Sequence, residues 1–318
     1  MSATVPSEEL LFREGGPKDL RAAFDLSQLA LREVQGRLGR APDEEPPSEN
    51  LDELWARRRP LAEFMAAQDG SFFVCEGREG LLGFARTVRF DGMEQLAELF
   101  VHPDHQGHGI GKGLLERCWP EPPTPELTRV VVAMGASADL TLYTGFGVMP
   151  ANGRLRMVER TESYVERRLR EGDTTAPGVH ALERGRALAE WGRMEPEVVG
   201  HRRRPLQEFF ARDRTCLACV NPDGSSGALC WVSPDGVVGP GVAETPEDLV
   251  PVVLAALDRV AKTHEPKELR VGVMASSWWL LQRLRTLGFK VSRPGWVLCS
   301  VPLPELYRYL PVDPGVFL

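Results

Sequence analysis

Residues 101–113 read VHPDHQGHGIGKG. Three histidines stand three apart, at His102, His105 and His108, among closely set glycines. Two chemistries suit those residue types. Imidazoles held close together can share a Zn²⁺ ion. Glycines let the backbone approach a ligand and turn its N–H groups onto a pyrophosphate, where a helix N-terminus adds about half a positive charge. Spacing favours the second. His102 ends an apolar run before Pro103, and His108 lies between Gly107 and Gly109, so the imidazoles are expected to diverge and no metal is expected. Gln106, Gly109 and Gly111 give Q-x-x-G-x-G, and Lys112 adds a cation in the first turn of the helix that follows.

The flanking segments have to supply a strand before this turn and a helix after it. Residues 17–38 carry Leu20, Phe24, Leu31 and Val34 at helical spacing, starting from Pro17. A polar, Pro-rich loop spans 41–50. A second helix over 51–68 offers Leu51, Leu54, Trp55, Leu61, Phe64 and Met65 as its buried face. SFFVCE (71–76), GLLGFARTVRF (80–90) and QLAELFV (95–101) read as strands. GIGKGLLERC (109–118) is a helix that begins inside the glycines. RVVVAMG (129–135) reads as a strand buried on both faces, SADLTLYTGFGV as a short helix, and RLRMVER (154–160) as a strand.

After a polar joint near 161–178 the order is expected to return. Helices are predicted at 179–191 and 204–212. Strands follow at TCLACVN, GALCWVS and GVVGPGV, then a helix over 246–263 and a strand at ELRVGVM. A helix at SSWWLLQRLRTLGF and a strand at WVLCSVP close the set. VVVAMGASADL pairs with LRVGVMASSWWL, and GFGVM with LGFKV, which points to a duplication of one fold.

Composition narrows the class. A chain of 318 residues, 42% hydrophobic and 26% charged, can bury a sizeable core in one or two domains. A net charge of -7 disfavours a nucleic-acid partner. No apolar run reaches the ~20 residues of a membrane span. The N-terminus lacks a signal-peptide plan and the six cysteines lack framework spacing, so no membrane partner and a cytoplasmic location are expected. The acidic excess lies in residues 1–165. It suits attraction of a cationic small molecule and equally suits a solvated surface.

The stretch LFVHPDHQGHGIGKGLL resembles the acetyl-CoA loop of the GNAT (Gcn5-related) N-acetyltransferases, whose pattern V-x-P-x-x-Q/R-x-x-G-x-G/A is complete here. The resemblance implies an α/β (α+β) fold of two tandem GNAT-like domains, each a mixed, mainly antiparallel twisted sheet flanked by helices. It places an active domain at 1–165 and a degenerate one at 166–318. It implies acetyl-CoA as co-substrate, held at Leu99, Phe100 and Val101 and along Gln106, Gly107, His108, Gly109, Ile110, Gly111 and Lys112. In it, the Val101 N–H polarises the thioester carbonyl. Tyr143, in LYTGFGV, matches a family tyrosine that protonates the leaving thiolate. Glu98, three residues before Val101, is a candidate base, and Glu94 a second.

The second half lacks the cradle. GVAETPEDL stands in its place, with Thr245, Pro246 and Asp248 set to form a capping box and with carboxylates that would repel phosphate. No phenol stands near Gln282 to Leu284, the counterpart of Tyr143. Cys216 and Cys219 point to opposite faces of a strand, and Trp278 and Trp279 are expected in a core or a domain contact. The resulting expectation is an N-acetyltransferase acting on a primary amine of a small molecule or peptide by direct transfer in a ternary complex, as a monomer or homodimer. Two alternatives stay open: a non-catalytic acyl-CoA sensor, and a scaffold.

Overall fold

The computed structural model of the protein describes residues 10–37, 50–78, 80–134, 137–172, 178–312 and 317–318, the side chains of 34–37 excepted. Most of the loop expected at 41–50, and the Val34 side chain, lie outside the described residues. The architecture is α+β: two mixed, mainly antiparallel sheets with helices packed on them. The chain divides into two compact units, Met1–Arg89 with Glu94–Pro122, and Phe90–Met93 with Pro123–Leu318.

The first unit runs β1 (Leu11–Glu14), α1 (Leu20–Arg37), α2 (Leu51–Ala66), β2 (Phe72–Gly77), β3 (Gly80–Phe90), β4 (Met93–Val101) and α3 (Ile110–Cys118). Its strands lie in the order β1-β2-β3-β4. β2 pairs antiparallel with β1, Phe12 opposite Cys75, and with β3, Phe73 opposite Ala85. Asn50 caps α2 by accepting from the Asp52 N–H at 3.0 Å. Phe64 and Met65 are the buried residues of α2, while Leu51, Leu54, Trp55 and Leu61 are half-buried. Ala23 and Leu26 of α1 meet Val74 and Phe84 in a small core, with Phe72, Leu81 and Phe100 at its edge.

Two glycines let α3 lie close on the strands. A Cβ at Gly83 would come within 2.8 Å of Ile110 and 3.3 Å of Leu114. A Cβ at Gly113 would come within 2.8 Å of the Phe12 ring, over which Arg117 stacks at 4.1 Å. The helix after the cradle is thus seated on the strand that precedes the cradle's own strand, which fixes where its N-terminus points.

The second unit holds β5 (Thr128–Ala133), α4 (Ser137–Thr144), β6 (Met149–Arg160), α5 (Thr161–Arg170), β7 (Val179–Leu182), α6 (Arg184–Val199) and α7 (Arg204–Phe210). It continues with β8 (Thr215–Val220), β9 (Ser226–Val232), β10 (Val238–Ala243), α8 (Leu249–Thr263), β11 (Glu268–Met274), α9 (Trp278–Thr286), β12 (Lys290–Cys299) and β13 (Tyr309–Leu310). Strands from the two halves of the sequence alternate here, in the order β5-β12-β6-β11. β12 pairs with β5 through Trp296–Ala133 and Cys299–Val130, and with β6 through Trp296–Gly153 and Cys299–Met149. On its other side β6 pairs with β11, Met157 opposite Val271. A second group runs β13-β10-β9-β8-β7, and α8 packs on it with Val252, Val253, Leu257 and Val260 buried.

Three expectations fail for physical reasons. The joint at 161–178 is polar, yet 161–170 is helical: α5 has only a narrow buried face, Thr161, Tyr164 and Arg168, and Arg168 is held by Asp258 at 2.8 Å. The helix expected from 179 begins at Arg184, because Val179–Leu182 pairs with β8. Trp278 and Trp279 are 68% and 54% exposed and anchor no core, which instead takes Leu280 and Leu284 from the same helix.

Candidate functional site

β4 changes face along its length. On β3, Thr87 and Arg89 lie on one face and Phe84 and Arg86 on the other, as the two-residue period requires. Thr87 and Arg89 both reach the Glu94 carboxylate, at 3.1 and 2.9 Å. Phe84 meets Phe100 at 5.6 Å, and Arg86 meets Glu98 at 3.3 Å. In a regular strand Glu94, Glu98 and Phe100 would share one face. The two-residue alternation is therefore broken between Glu94 and Glu98, as a β-bulge would break it, just before Leu99, Phe100 and Val101.

The turn that follows is compact. Pro103–His105 forms a single 3₁₀ turn, with His102 at its start accepting from the Asp104 N–H at 3.3 Å. The Gln106 side-chain amide donates back to the Val101 carbonyl at 3.4 Å, which ties the loop to the strand end. Gly107 and Gly109 have φ of +80° and +83°, the left-handed region that side chains resist. A Cβ at either would meet nothing within 4 Å, so the glycines border open space and their conformation is what demands them.

α3 then starts at Ile110 with Gly109 as its cap residue, no side-chain cap, and no acidic residue in its first turn. Its leading N–H groups are the donors a helix leaves without partners of its own. Gly107, His108, Gly109 and Lys112 are exposed, Gly111 is half-buried, and Ile110 is buried as the anchor of the helix. Lys112 Nζ stands 3.6 Å from Glu116 on the same helix face. This constellation fits a bound diphosphate: main-chain donors, a helix N-terminus, a cation, and room. The His102 and His105 rings meet edge to face at 5.5 Å. Among the described residues no group of three or more His, Cys, Asp or Glu is placed to hold a metal ion.

Of the two carboxylates, Glu94 is fully buried. Glu98 keeps 18% of its side chain exposed. Burial pushes the Glu98 carboxyl up from the ordinary range, opposed by the positive charges of Arg86 and Arg58. Arg86 is itself 2% exposed, its guanidinium 4.3 Å over the Phe72 ring and its Nη1 donating to the Ala62 carbonyl at 3.1 Å. The sequence reading missed Arg86. Its one signal was a cation inside the apolar run GLLGFARTV.

Tyr143 belongs to the second unit, on α4, and is 7% exposed. Burial, and secondarily the charge of Asp139 one turn earlier, push its phenol well above the ordinary value. The helix closes behind it. The Phe146 N–H bonds the Tyr143 carbonyl at 2.9 Å, and Gly147 at φ +80° carries the chain out. The spacing L-Y-x-x-x-G is therefore a helix ending in a left-handed residue.

The counterpart in the second repeat is built differently. Thr245 Oγ1 bonds Asp248 at 2.7 Å and accepts from its N–H at 3.3 Å. This turn precedes α8, which starts at Leu249 with Asp248 as a cap residue whose side chain makes no cap, so the expected box lies just outside the helix. Nearby, β13 pairs along β10, Gly241 opposite Leu310 and Val242 opposite Tyr309.

Residues 68–147 match the family model described as an acetyltransferase (GNAT) domain. No curated protein matches the chain. Over nearly its whole length the chain is similar to the solved structure of a putative acetyltransferase from Pyrococcus horikoshii (TM-score 0.68, 14% identity, 97% of this chain and 96% of that one). A GCN5-related N-acetyltransferase from Sphaerobacter thermophilus is also similar (0.60, 16% identity, 95% and 100%). So is a tandem GNAT protein from the clavulanic acid biosynthesis pathway (0.57, 16% identity, 92% and 99%). At these identities the likeness is one of fold.

Proposed function

We propose, for a chain that carries the GNAT acetyltransferase fold in tandem, an acetyl-CoA-dependent N-acetyltransferase that moves an acetyl group to a primary amine of a small molecule or peptide. Transfer is direct, within a ternary complex. The observation that carries this reading is the start of α3, with no side-chain cap, behind Gly107 and Gly109, where the backbone is left-handed and an added Cβ would meet nothing within 4 Å among the described residues.

Main-chain N–H groups from Gln106 to Lys112 hold the diphosphate. Acetyl-CoA supplies an acyl group already activated as a thioester. The Val101 N–H, at the end of β4, polarises the thioester carbonyl. Glu98 takes the proton of the acceptor amine, and Tyr143 gives one to the departing thiolate. The first repeat, taken as 1–165, carries the chemistry, and the second, 166–318, supports it. The chain acts as a monomer or homodimer in the cytoplasm.

One observation favours a second reading, a non-catalytic acyl-CoA sensor. A phenol pushed above its ordinary value is a weaker proton donor to a thiol of pKa ~8.5. Two measurements separate the readings: the thermal shift with acetyl-CoA, and release of free CoA across a panel of amino acids, polyamines, aminoglycosides and peptide N-termini. A shift with turnover supports the enzyme, a shift with no turnover supports the sensor, and no shift defeats both.

A further inference from the structure

The ion pair beneath β4 carries an inference that rests on the proposed role of Glu98 and goes beyond it. Arg86 and Glu98 stand on adjacent strands at 3.3 Å, and they meet only because the break in alternation turns Glu98 to the face Arg86 occupies. Two contacts and burial fix the guanidinium. Its plane lies 4.3 Å over Phe72, Nη1 bonds the Ala62 carbonyl of α2 at 3.1 Å, and the whole side chain is sealed from water. Its Nε lies 3.3 Å from the Glu98 carboxylate and makes no hydrogen bond among the described residues. One donor is therefore aimed at the carboxylate and left slack.

We propose that Arg86 is the positioning residue of the proton acceptor: it holds the Glu98 carboxylate in one place and keeps it ionised, and its slack Nε–H closes onto the carboxylate when an amine binds. A buried carboxylate with no such partner would stay protonated and could accept nothing. One with a tight partner on every lone pair would be too weak a base. Arg86 sits between those limits. The charged groups that face Glu98 are Arg86 from β3 and Arg58 from α2. Arg86 carries the larger influence, and being buried it is the one salt cannot screen.

The test needs no acceptor. The full chain is labelled with ¹³C at glutamate carboxyls and ¹⁵N at arginine Nε, with signals assigned through Glu98→Gln and Arg86→Gln. In the wild type, the Glu98 carboxyl and the Arg86 Nε are expected to titrate with one midpoint. In Arg86→Gln, which retains an amide for the Ala62 carbonyl, the Glu98 midpoint is expected to rise by about one pH unit or more. In Arg86→Lys it is expected to lie between the two. Different midpoints for the two wild-type signals, or an unmoved Glu98 in Arg86→Gln, would overturn the proposal. If the glutamine variant fails to fold, the wild-type comparison decides alone. The base assignment has its own test: Glu98→Gln with unchanged turnover sinks that reading, while an active-site Glu98 whose titration ignores Arg86 sinks only this one.

Discussion

The Tyr164 hydroxyl on α5 donates to Asp258 of α8 at 2.7 Å, and Arg168, one turn along, grips the same carboxylate with two nitrogens. All three residues are buried. Asp258→Ala would remove the acceptor that a buried phenol shares with Arg168, leaving the cation its longer contact to Glu171 at 3.4 Å, at a cost of about 1–3 kcal/mol. Urea unfolding should show that loss, with Asp258→Asn milder because the amide oxygen still accepts.

At the cradle, Gly109→Val places a β-branched residue at φ +83°. The strain is about 1–3 kcal/mol. Because a Cβ there meets nothing within 4 Å among the described residues, the variant should fold with a modestly lowered melting temperature. Titration calorimetry should find acetyl-CoA affinity down tenfold or more, because the main-chain donors no longer converge.

On the proposed chemistry, Glu98→Gln lowers kcat/KM by ~10²-fold, the usual contribution of a general base. In the wild type kcat/KM should rise with pH through the elevated Glu98 value and then level off. The stability effect has the opposite sign. A carboxyl raised in the folded state favours the protonated native form, so its stabilisation is present at low pH and lost as pH climbs through the raised value. Glu98→Gln should therefore gain melting temperature relative to wild type above the raised Glu98 value and not below the ordinary carboxylate range.

Tyr143→Phe removes a single oxygen from a well-packed helix and should leave stability nearly unchanged. On the proposed chemistry it lowers kcat about 10- to 100-fold while the KM for acetyl-CoA holds. Because the phenol is pushed up, the alkaline limb of the pH profile should not report its ionisation below pH 10. A steady-state profile from pH 6 to 10 checks both.

A protease site inserted after Gly172, an exposed residue at φ +91°, should yield two fragments that elute together. β12 from one fragment lies between β5 and β6 of the other, and β11 flanks β6. Separation should require denaturant. Fragments that part in buffer would contradict the strand order.

The strand, turn and helix of the candidate site were legible because everything they need is local: an apolar run, a proline, alternating glycines and a helix in seventeen consecutive residues. The glycine after Tyr143 was legible for the same reason. Strand pairing between residues near 155 and residues near 295 has no local signature, so the alternation of the two halves was invisible. Which carboxylate turns toward Arg86 was hidden too, since the break in alternation between Glu94 and Glu98 leaves no mark in the run EQLAE. α5 was masked by its charges: five of its ten residues are Arg or Glu, and its buried face emerges from the packing of Thr161 and Tyr164 and the pairing of Arg168 with Asp258.

The strand exchange also bears on how the protein is made. β5 and β6 leave the ribosome with a vacancy between them that only β12 can fill, after β7 to β11 and their helices have been synthesised. Until then two strand edges stay bare, each a template for the wrong neighbour. Nascent chains stalled before Lys290 should accordingly lean on chaperones, and selection against loss of the second repeat would operate through that borrowed strand even if the repeat never touched a substrate.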